Sequence, residues 1–254
     1  IIVGENPASK IYVNNKIKIS QSVNIQSIKI QFPVNINETD ILKKIEELNS
    51  DDNIDGILVQ LPLPKHISTV NVINKISIRK DVDGFHPVNF GNLCLGNDTI
   101  VPCTPLGCLY LIKKEIQSLD GLNVTILGRS NIVGKPIQAL LLNENCTTTI
   151  THSKSKNLQD FTKQADILVV AIGKPEFITE EYVKKDAFII DVGINRIVSS
   201  QKIVGDVKFD NVIKKVNKIT PVPGGVGPMT IAMLMYNTLK LSFTRNKIYF
   251  KEIL

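Results

Sequence analysis

The chain of 254 residues is 43% hydrophobic and 21% charged, and its formal net charge is +6. No apolar run approaches the ~20 residues that a helix needs to cross a bilayer, so a membrane protein is not expected. The basic residues are mostly scattered lysines without interleaved aromatic residues, which argues against nucleic-acid binding and favours a surface that attracts anionic small molecules.

Strand-like apolar runs alternate with helical patterns along the chain, which is typical of an α/β fold. The nearly continuous apolar runs in its second half predict parallel strands covered on both faces. The predicted strands are Ser27–Phe32, Gly56–Leu61, Asn123–Leu127, Thr147–Thr151, Ile167–Ile172 and Phe188–Val192. The predicted helices are Pro7–Ile19, Thr39–Leu48, Leu106–Ile116, Lys135–Leu142, Asn157–Gln164 and Met229–Leu241.

The first residues, Ile1–Gly4, have the pattern of the end of a buried strand, so we expect the chain to begin inside a folded domain. No signal peptide is visible. A cytoplasmic location is the expectation, and an organellar one stays open because such a start does not show whether a targeting segment preceded it.

The first helix places an aromatic ring and an amine on one face. Asn6 can cap the helix and Pro7 suits its first position, which leaves Tyr12 and Lys16 one turn apart. The two side chains are therefore candidate site residues. A half-buried tyrosine beside a lysine that reaches to solvent is the alternative.

Two loops in the first half follow strand-like segments, where ligands bind in open α/β sheets. Gln60 precedes a Leu-Pro-Leu-Pro run, and Asp83 precedes a glycine turn. Taken separately, Gln60 as a plain loop amide and Asp83 as an ordinary turn residue are the alternatives.

The segment Asn123–Pro136 reads as strand, glycine turn and helix, which is where dinucleotide folds bind a pyrophosphate. Ser130 stands at the second glycine position and Gly134 comes one residue late, so an ordinary connection is the alternative. After the next strand no carboxylate is present to bind the ribose hydroxyls of NAD. Arg129 is suited to a 2′-phosphate, which favours NADP, although a plain surface arginine is also possible.

The segment Pro221–Thr230 contains three prolines and three glycines and leads directly into a helical pattern. It predicts a rigid loop with exposed main-chain amides at a helix start, which is a candidate ligand site. A plain tight connection is the alternative.

The cysteines give no indication of a metal site. They have neither the spacing of zinc ligands nor the density of a disulfide scaffold, and the histidines do not cluster with them. We therefore expect reduced thiols at Cys94, Cys103, Cys108 and Cys146, and no metal.

Six motifs in a fixed order carry a family resemblance over nearly the whole chain. The chain resembles the methylenetetrahydrofolate dehydrogenase/methenyltetrahydrofolate cyclohydrolase family. Six ordered motifs are far more specific than any one of them. They lie at Tyr12–Lys16, Gln60–Pro64, Lys80–Phe85, Pro102–Pro105, Gly128–Gly134 and Pro221–Thr230.

The resemblance implies two α/β domains with a ligand cleft between them, the second a Rossmann-type NADP-binding domain with a mainly parallel sheet. We expect a folate-binding catalytic domain at residues 1–103, the NADP-binding domain at 104–228, and a C-terminal helix at 229–254 that returns to the first domain. Relative to the family, a helix and part of a strand before Ile1 are expected to be missing. A homodimer is also implied.

The resemblance assigns roles residue by residue. Lys16 matches the catalytic lysine, Gln60 its hydrogen-bond partner, Tyr12 a catalytic-site tyrosine that stacks on the folate, and Asp83 the acid that binds the pterin. In the family, the proline-rich loop lies beside the folate, and the matching positions in this chain are Pro223, Gly224 and Gly225. The peptide bond before the second proline of this loop is often cis in the family. Cofactor-binding positions are Gly128, Arg129, Ser130, Ser153, Ile194 and Thr230.

The implied function is that of a bifunctional enzyme of one-carbon metabolism, with a link to purine biosynthesis. It oxidises 5,10-methylenetetrahydrofolate with NADP and hydrolyses the methenyl product to 10-formyltetrahydrofolate. We hypothesise that Lys16, as a neutral amine, takes a proton from the attacking water. A non-catalytic folate- or nucleotide-binding relative and an NADP oxidoreductase for another small acid are the alternatives.

Overall fold

The computed structural model describes residues 1–197 and 202–253. The described chain divides into two compact units. The first unit contains residues 1–92, 99–101 and 234–253, and the second contains residues 93–98 and 102–233.

The elements follow one another as β1 (Ile2–Val3), α1 (Pro7–Ser22), β2 (Gln31–Phe32), α2 (Glu38–Ser50), α3 (Thr69–Lys75), α4 (Pro87–Cys94), α5 (Cys103–Glu115), β3 (Asn123–Leu127), α6 (Gly134–Asn143), β4 (Thr147–Thr151), α7 (Leu158–Thr162), β5 (Ile167–Val170), β6 (Phe188–Asp191), β7 (Asn195–Arg196), β8 (Ile203–Val204), α8 (Phe209–Val212), β9 (Lys218–Ile219) and α9 (Val226–Arg245). Short 3₁₀ turns lie at Ile78–Lys80 and Glu180–Tyr182.

The first unit has little sheet. β1 and β2 pair in parallel over two residues each. Its core is largely aliphatic and combines side chains of β1, α2 and α3 with the segment between those two helices. The fully or nearly fully buried members are Val3, Ile41, Ile45, Ile57, Val59, Ile67, Val72 and Ile76.

The prediction of a strand at Gly56–Leu61 is wrong. Ile57 and Val59 are buried in alternation, as in a strand, but the segment forms only one isolated bridge, between Ile57 and Asp81. Its main chain bonds to Ile1 on one side and to Lys80 on the other. Each of these neighbours offers too short an extended stretch for a ladder to form.

Helix α1 begins where the sequence predicts it. The Asn6 side chain accepts a hydrogen bond from Ser9 N at 3.2 Å, and Pro7 occupies the first helical position, where its missing N–H costs nothing. Tyr12 and Lys16 both lie within α1, and because they are four residues apart they lie one turn apart.

The second unit is built on a five-stranded sheet in the order β4-β3-β5-β6-β9, with every pair parallel. All residues of β5 and β6 are buried, which explains the apolar sequence of β5 and of the first three residues of β6. β4 follows β3 on one side, while β5 and then β6 lie on the other. The winding direction therefore reverses at β3, and ligands bind outside the carboxyl ends of the strands at such a reversal.

In the described part of the chain, no helix is both long and apolar enough to cross a bilayer. Cys94, Cys108 and Cys146 are free thiols, as the sequence predicts. Burial raises the pKa of Cys108 to about 12 and that of Cys146 to about 11, which keeps both in the neutral form.

The assigned core of the second unit can be tested by substitution of a buried residue. Leu168 in β5 is fully buried, whereas Leu142 in α6 is 57% exposed. We expect Leu168→Ala to lower the free energy of unfolding by about 2–5 kcal/mol, because it removes apolar contacts and leaves a cavity. Urea denaturation measures this effect. The control Leu142→Ala should change stability by no more than about 0.5 kcal/mol, and equal effects would contradict the assigned core.

Candidate functional site

The structure distributes the site residues predicted from sequence over both units. Four of them lie in the first unit: Tyr12, Lys16, Gln60 and Asp83. The remaining nine lie in the second unit: Gly128, Arg129, Ser130, Ser153, Ile194, Pro223, Gly224, Gly225 and Thr230.

An amine and an amide form the centre of the first-unit group. Lys16 Nζ donates to Gln60 Oε1 at 3.1 Å, and both side chains are half-buried. Gln60 Nε2 donates to Leu61 O at 2.8 Å. This second bond fixes the amide so that its oxygen faces the amine, and the lysine is thereby held by an acceptor that carries no charge.

Tyr12 lies one helical turn before Lys16 and is half-buried. Burial raises the pKa of the Tyr12 phenol above its ordinary value of 10.0. The ring is therefore neutral at physiological pH and presents a flat apolar face with a polar tip.

The two acids of the Lys80–Phe85 segment have different surroundings. Asp81 is 2% exposed, and its carboxylate accepts hydrogen bonds from Gly84 N at 3.1 Å, His86 N at 2.8 Å and Asn89 Nδ2 at 2.9 Å. These bonds fold the turn around Asp81. Asp83, at the centre of that turn, is half-exposed and accessible to a ligand.

Ile1 lies against the Leu58–Gln60 segment, where its nitrogen donates to Leu58 O at 2.7 Å and its carbonyl oxygen accepts from Gln60 N at 2.9 Å. A cavity of about 160 Å³ in the same unit is lined by Lys16 but not by Tyr12, Gln60 or Asp83.

In the second unit, the turn after β3 has no space for side chains at its two glycines. Gly128 has a φ of 113°, and a Cβ there would lie 2.2 Å from Ala171 O. A Cβ on Gly134 would lie 2.0 Å from Gly128 O. Ser130 Oγ accepts hydrogen bonds from Val133 N at 3.1 Å and Gly134 N at 3.3 Å, so it holds the end of the turn where α6 begins.

The loop after β4 adjoins this turn, because Gly128 N donates to Thr151 O at 2.9 Å. Arg129 and Ser153 are both exposed, each within two residues of that bond. Residues 152–157 include two lysines and no acid. The tight glycine turn and the cationic, carboxylate-free loop fit a dinucleotide that carries a 2′-phosphate.

The remaining second-unit residues lie near the start of α9. Ile194 is 48% exposed, and a Cβ on Gly227 would be 3.6 Å from Ile194 Cδ1, so the two segments touch. Thr230 Oγ1 shares a hydrogen bond of 2.9 Å with Thr104 Oγ1.

The proline-rich loop before α9 contains a cis peptide bond, between Val222 and Pro223. Gly224 has a φ of 109°, and a Cβ on Gly225 would lie 2.6 Å from Pro221 O. The loop backbone therefore depends on glycine at both positions.

Two family models match the chain. The tetrahydrofolate dehydrogenase/cyclohydrolase catalytic domain matches residues 1–83, and the NAD(P)-binding domain of the same family matches residues 102–246. The chain belongs to the tetrahydrofolate dehydrogenase/cyclohydrolase family.

Several relatives of this chain are similar to it over most of their length. The bifunctional protein FolD of Rickettsia bellii is 56% identical over 241 residues, which cover 94% of this chain and 85% of the relative. The structure of the Campylobacter jejuni bifunctional enzyme FolD is 48% identical, with a TM-score of 0.94 and coverage of 96% and 86%. The Trypanosoma brucei enzyme, complexed with NADP cofactor and inhibitor, is 36% identical, with a TM-score of 0.92 and coverage of 97% and 86%.

Two buried acids of the second unit, Asp191 and Asp206, are not identified in the sequence analysis. Asp191 ends β6 and is 3% exposed. Its carboxylate accepts hydrogen bonds from Gly193 N at 2.9 Å, Asp206 N at 3.0 Å and Val207 N at 2.9 Å. The available sequence signal was an acid that ends an otherwise apolar strand and is followed two residues later by glycine.

Burial raises the pKa of Asp191 from 3.8 to about 6, although its three main-chain bonds act in the opposite direction. The folded protein thus holds this proton more tightly than the unfolded chain does. The stability that Asp191 contributes is therefore present at low pH and is lost as the pH rises through about 6.

We expect this loss to appear in a comparison with Asp191→Asn, which cannot titrate. Between about pH 4 and pH 7, the unfolding free energy of the native protein minus that of the variant should fall by up to about 3 kcal/mol. Urea denaturation at several pH values measures it, with the exposed Asp210→Asn as background control. A difference that rises with pH would contradict the assignment.

Proposed function

We propose that this chain catalyses two consecutive reactions on one folate. It oxidises 5,10-methylenetetrahydrofolate to 5,10-methenyltetrahydrofolate with NADP, and it hydrolyses the methenyl form to 10-formyltetrahydrofolate. The observation that carries the proposal is the Lys16–Gln60 hydrogen bond, in a chain that belongs to the tetrahydrofolate dehydrogenase/cyclohydrolase family.

The first unit binds the folate. The pterin ring offers adjacent N–H donors, and a carboxylate accepts two of them together. Asp83 suits this task because it is half-exposed at the centre of the turn that folds around Asp81. The neutral ring of Tyr12 stacks on the folate beside Lys16.

The second unit binds NADP. The glycine turn from Gly128 to Gly134 admits the pyrophosphate, and Arg129 and Ser153 bind the 2′-phosphate. When bound, NADP accepts the hydride that leaves the methylene carbon. Ile194, Thr230 and the proline-rich loop belong to the same functional surface of this unit.

Hydrolysis requires a base. The methenyl carbon is cationic, and a water oxygen forms a bond to it. One proton of that water must leave, and the neutral Lys16 amine accepts it. Gln60 Oε1 directs the amine without adding a charge. The bond from the carbon to N5 then breaks as N5 takes up a proton and the hydroxyl group loses its proton to become the formyl C=O. The formyl group stays on N10, and of the two water protons one ends on N5 and one is released.

The proposal is tested by assaying the purified chain. Methenyltetrahydrofolate should form from the methylene compound with NADP, at a rate well above that with NAD. Methenyltetrahydrofolate should also be hydrolysed without any nucleotide. Folate binding without either reaction would establish a non-catalytic relative, and NADP reduction only with another small acid would establish a different oxidoreductase.

Lys16→Met should remove the base and lower the rate of hydrolysis by about 10²–10⁴-fold, the usual contribution of general base catalysis. The assay is the loss of methenyl absorbance without nucleotide. Lys18→Met, an exposed lysine on the same helix, is the matched control and should leave the rate unchanged. Full hydrolytic activity in the Lys16 variant would refute the role.

Arg129→Ala should raise the KM for NADP by about tenfold or more, because a charge-assisted bond to the 2′-phosphate is lost. The KM for NAD should change little, since NAD lacks that phosphate. Lys163→Ala removes an exposed cation elsewhere in the second unit and is the control. A parallel rise in both KM values would show that Arg129 does not recognise the 2′-phosphate.

A cytoplasmic homodimer completes the proposal, supported by the family resemblance. Light scattering of the purified protein should give twice the chain mass of 28.2 kDa. A value equal to the chain mass would refute the dimer.

A further inference from the structure

Two carboxylates interlock at the ends of strands in the second unit. Asp206 has no exposed surface, and it follows β8, while Asp191 ends β6. A Cβ on Gly205 would lie 1.9 Å from Asp191 Oδ2, and a Cβ on Gly193 would lie 2.4 Å from Asp206 Oδ1. The Asp191 carboxylate thus fills the space beside Gly205, and the Asp206 carboxylate fills the space beside Gly193.

Asp206 binds the loop that follows β5. Its Oδ2 accepts hydrogen bonds from Ile172 N at 2.7 Å and Gly173 N at 2.9 Å, and its Oδ1 accepts one from Lys174 N at 2.9 Å. Three successive main-chain donors that converge in this way form a nest of the kind that binds anions. In this protein the anion is the chain's own carboxylate.

The same carboxylate also reaches the segment after β6. Asn195 Nδ2 donates to Asp206 Oδ1 at 2.8 Å, directly after Ile194. Asp191 in turn binds the main chain of Asp206 and Val207, and Asp191 N donates to Thr220 Oγ1 at 2.9 Å, at the start of the proline-rich loop. The two acids therefore connect the segments that follow β5, β6 and β9.

The loop that Asp206 holds also packs against the cofactor turn. Ala171 precedes Ile172, and its carbonyl oxygen lies at the position that excludes a side chain from Gly128. This contact lies between the carboxyl ends of β3 and β5, where the winding of the sheet reverses. A shift of the Ile172–Lys174 main chain would change the surface that a dinucleotide meets.

We propose that Asp206, oriented by Asp191, is a positioning residue for the dehydrogenase reaction. It fixes the Ile172–Lys174 main chain and Ile194 where the nicotinamide half of NADP binds. The adenosine half depends on the Gly128–Gly134 turn and the Ser153 loop. The Asp206 carboxylate instead accepts its hydrogen bonds from Ile172–Lys174 and Asn195. The inference rests on the proposed function, because it assigns a role within that reaction.

Asp206→Asn is the direct test, since it keeps the shape but directs an N–H₂ group at main-chain donors. We expect kcat of the dehydrogenase at saturating NADP to fall by about 10²-fold, the usual effect of a misplacement of about 1 Å. The affinity for adenosine 2′,5′-bisphosphate, which reports only the adenosine half, should stay within about twofold by the same geometric reasoning.

Two further readouts separate positioning from folding. The nicotinamide fluorescence of bound NADPH should move toward that of free NADPH, which a purely structural role would not produce at unchanged bisphosphate affinity. Hydrolysis of methenyltetrahydrofolate without nucleotide should be unchanged. Asp210→Asn, an exposed acid four positions away, is the matched control and should match the native protein in every assay.

An unchanged kcat in Asp206→Asn would overturn the inference, as would a loss of kcat in proportion to a loss of bisphosphate affinity. If that variant does not fold, Asn195→Ala, which removes one donor to Asp206, must lower kcat at constant bisphosphate affinity, and failure to do so overturns the inference. A native chain without dehydrogenase activity would instead refute the proposed function itself.

Discussion

The second unit depends on one close contact of main chain with main chain, between Gly128 and the carbonyl of Ala171. The contact places the turn after β3 against the end of β5, so there is no room for a side chain at Gly128. Gly134 repeats the constraint from the other side, against Gly128 O. The dinucleotide turn and the loop that Asp206 holds meet at this contact.

Sequence reasoning succeeded where a pattern is local. β3 and β4 have the predicted bounds, and α1 begins at the predicted Pro7, because apolar periodicity and caps are properties of neighbouring residues. The strand predicted at Gly56–Leu61 failed because pairing depends on what lies alongside it. The short helices α3 and α4 were missed, since a helix of seven or eight residues shows barely two periods.

The candidate site shows the same limit. Glycines and a basic residue at a strand end predicted the dinucleotide turn after β3. The spacing of Tyr12 and Lys16 predicted that both lie on one face of α1. The partners of Asp191 and Asp206 were beyond prediction, because most are main-chain amides that any sequence possesses. Likewise, only the family resemblance, and not the local residue pattern, distinguishes Asp83 from Asp81, whereas the structure buries Asp81 and half-exposes Asp83.

The hydrogen bonds of Asn237 affect the order in which the parts of the protein fold. Its Nδ2 donates to Val82 O at 3.0 Å and Val101 O at 2.9 Å, so the last helix supports the main chain beside Asp83. These partners are 155 and 136 positions apart from it in the chain. On a ribosome that synthesises from the N-terminus, the nearly continuous second unit emerges in full before Asn237 does. The region around Asp83 thus reaches its final form last, although its residues are made first.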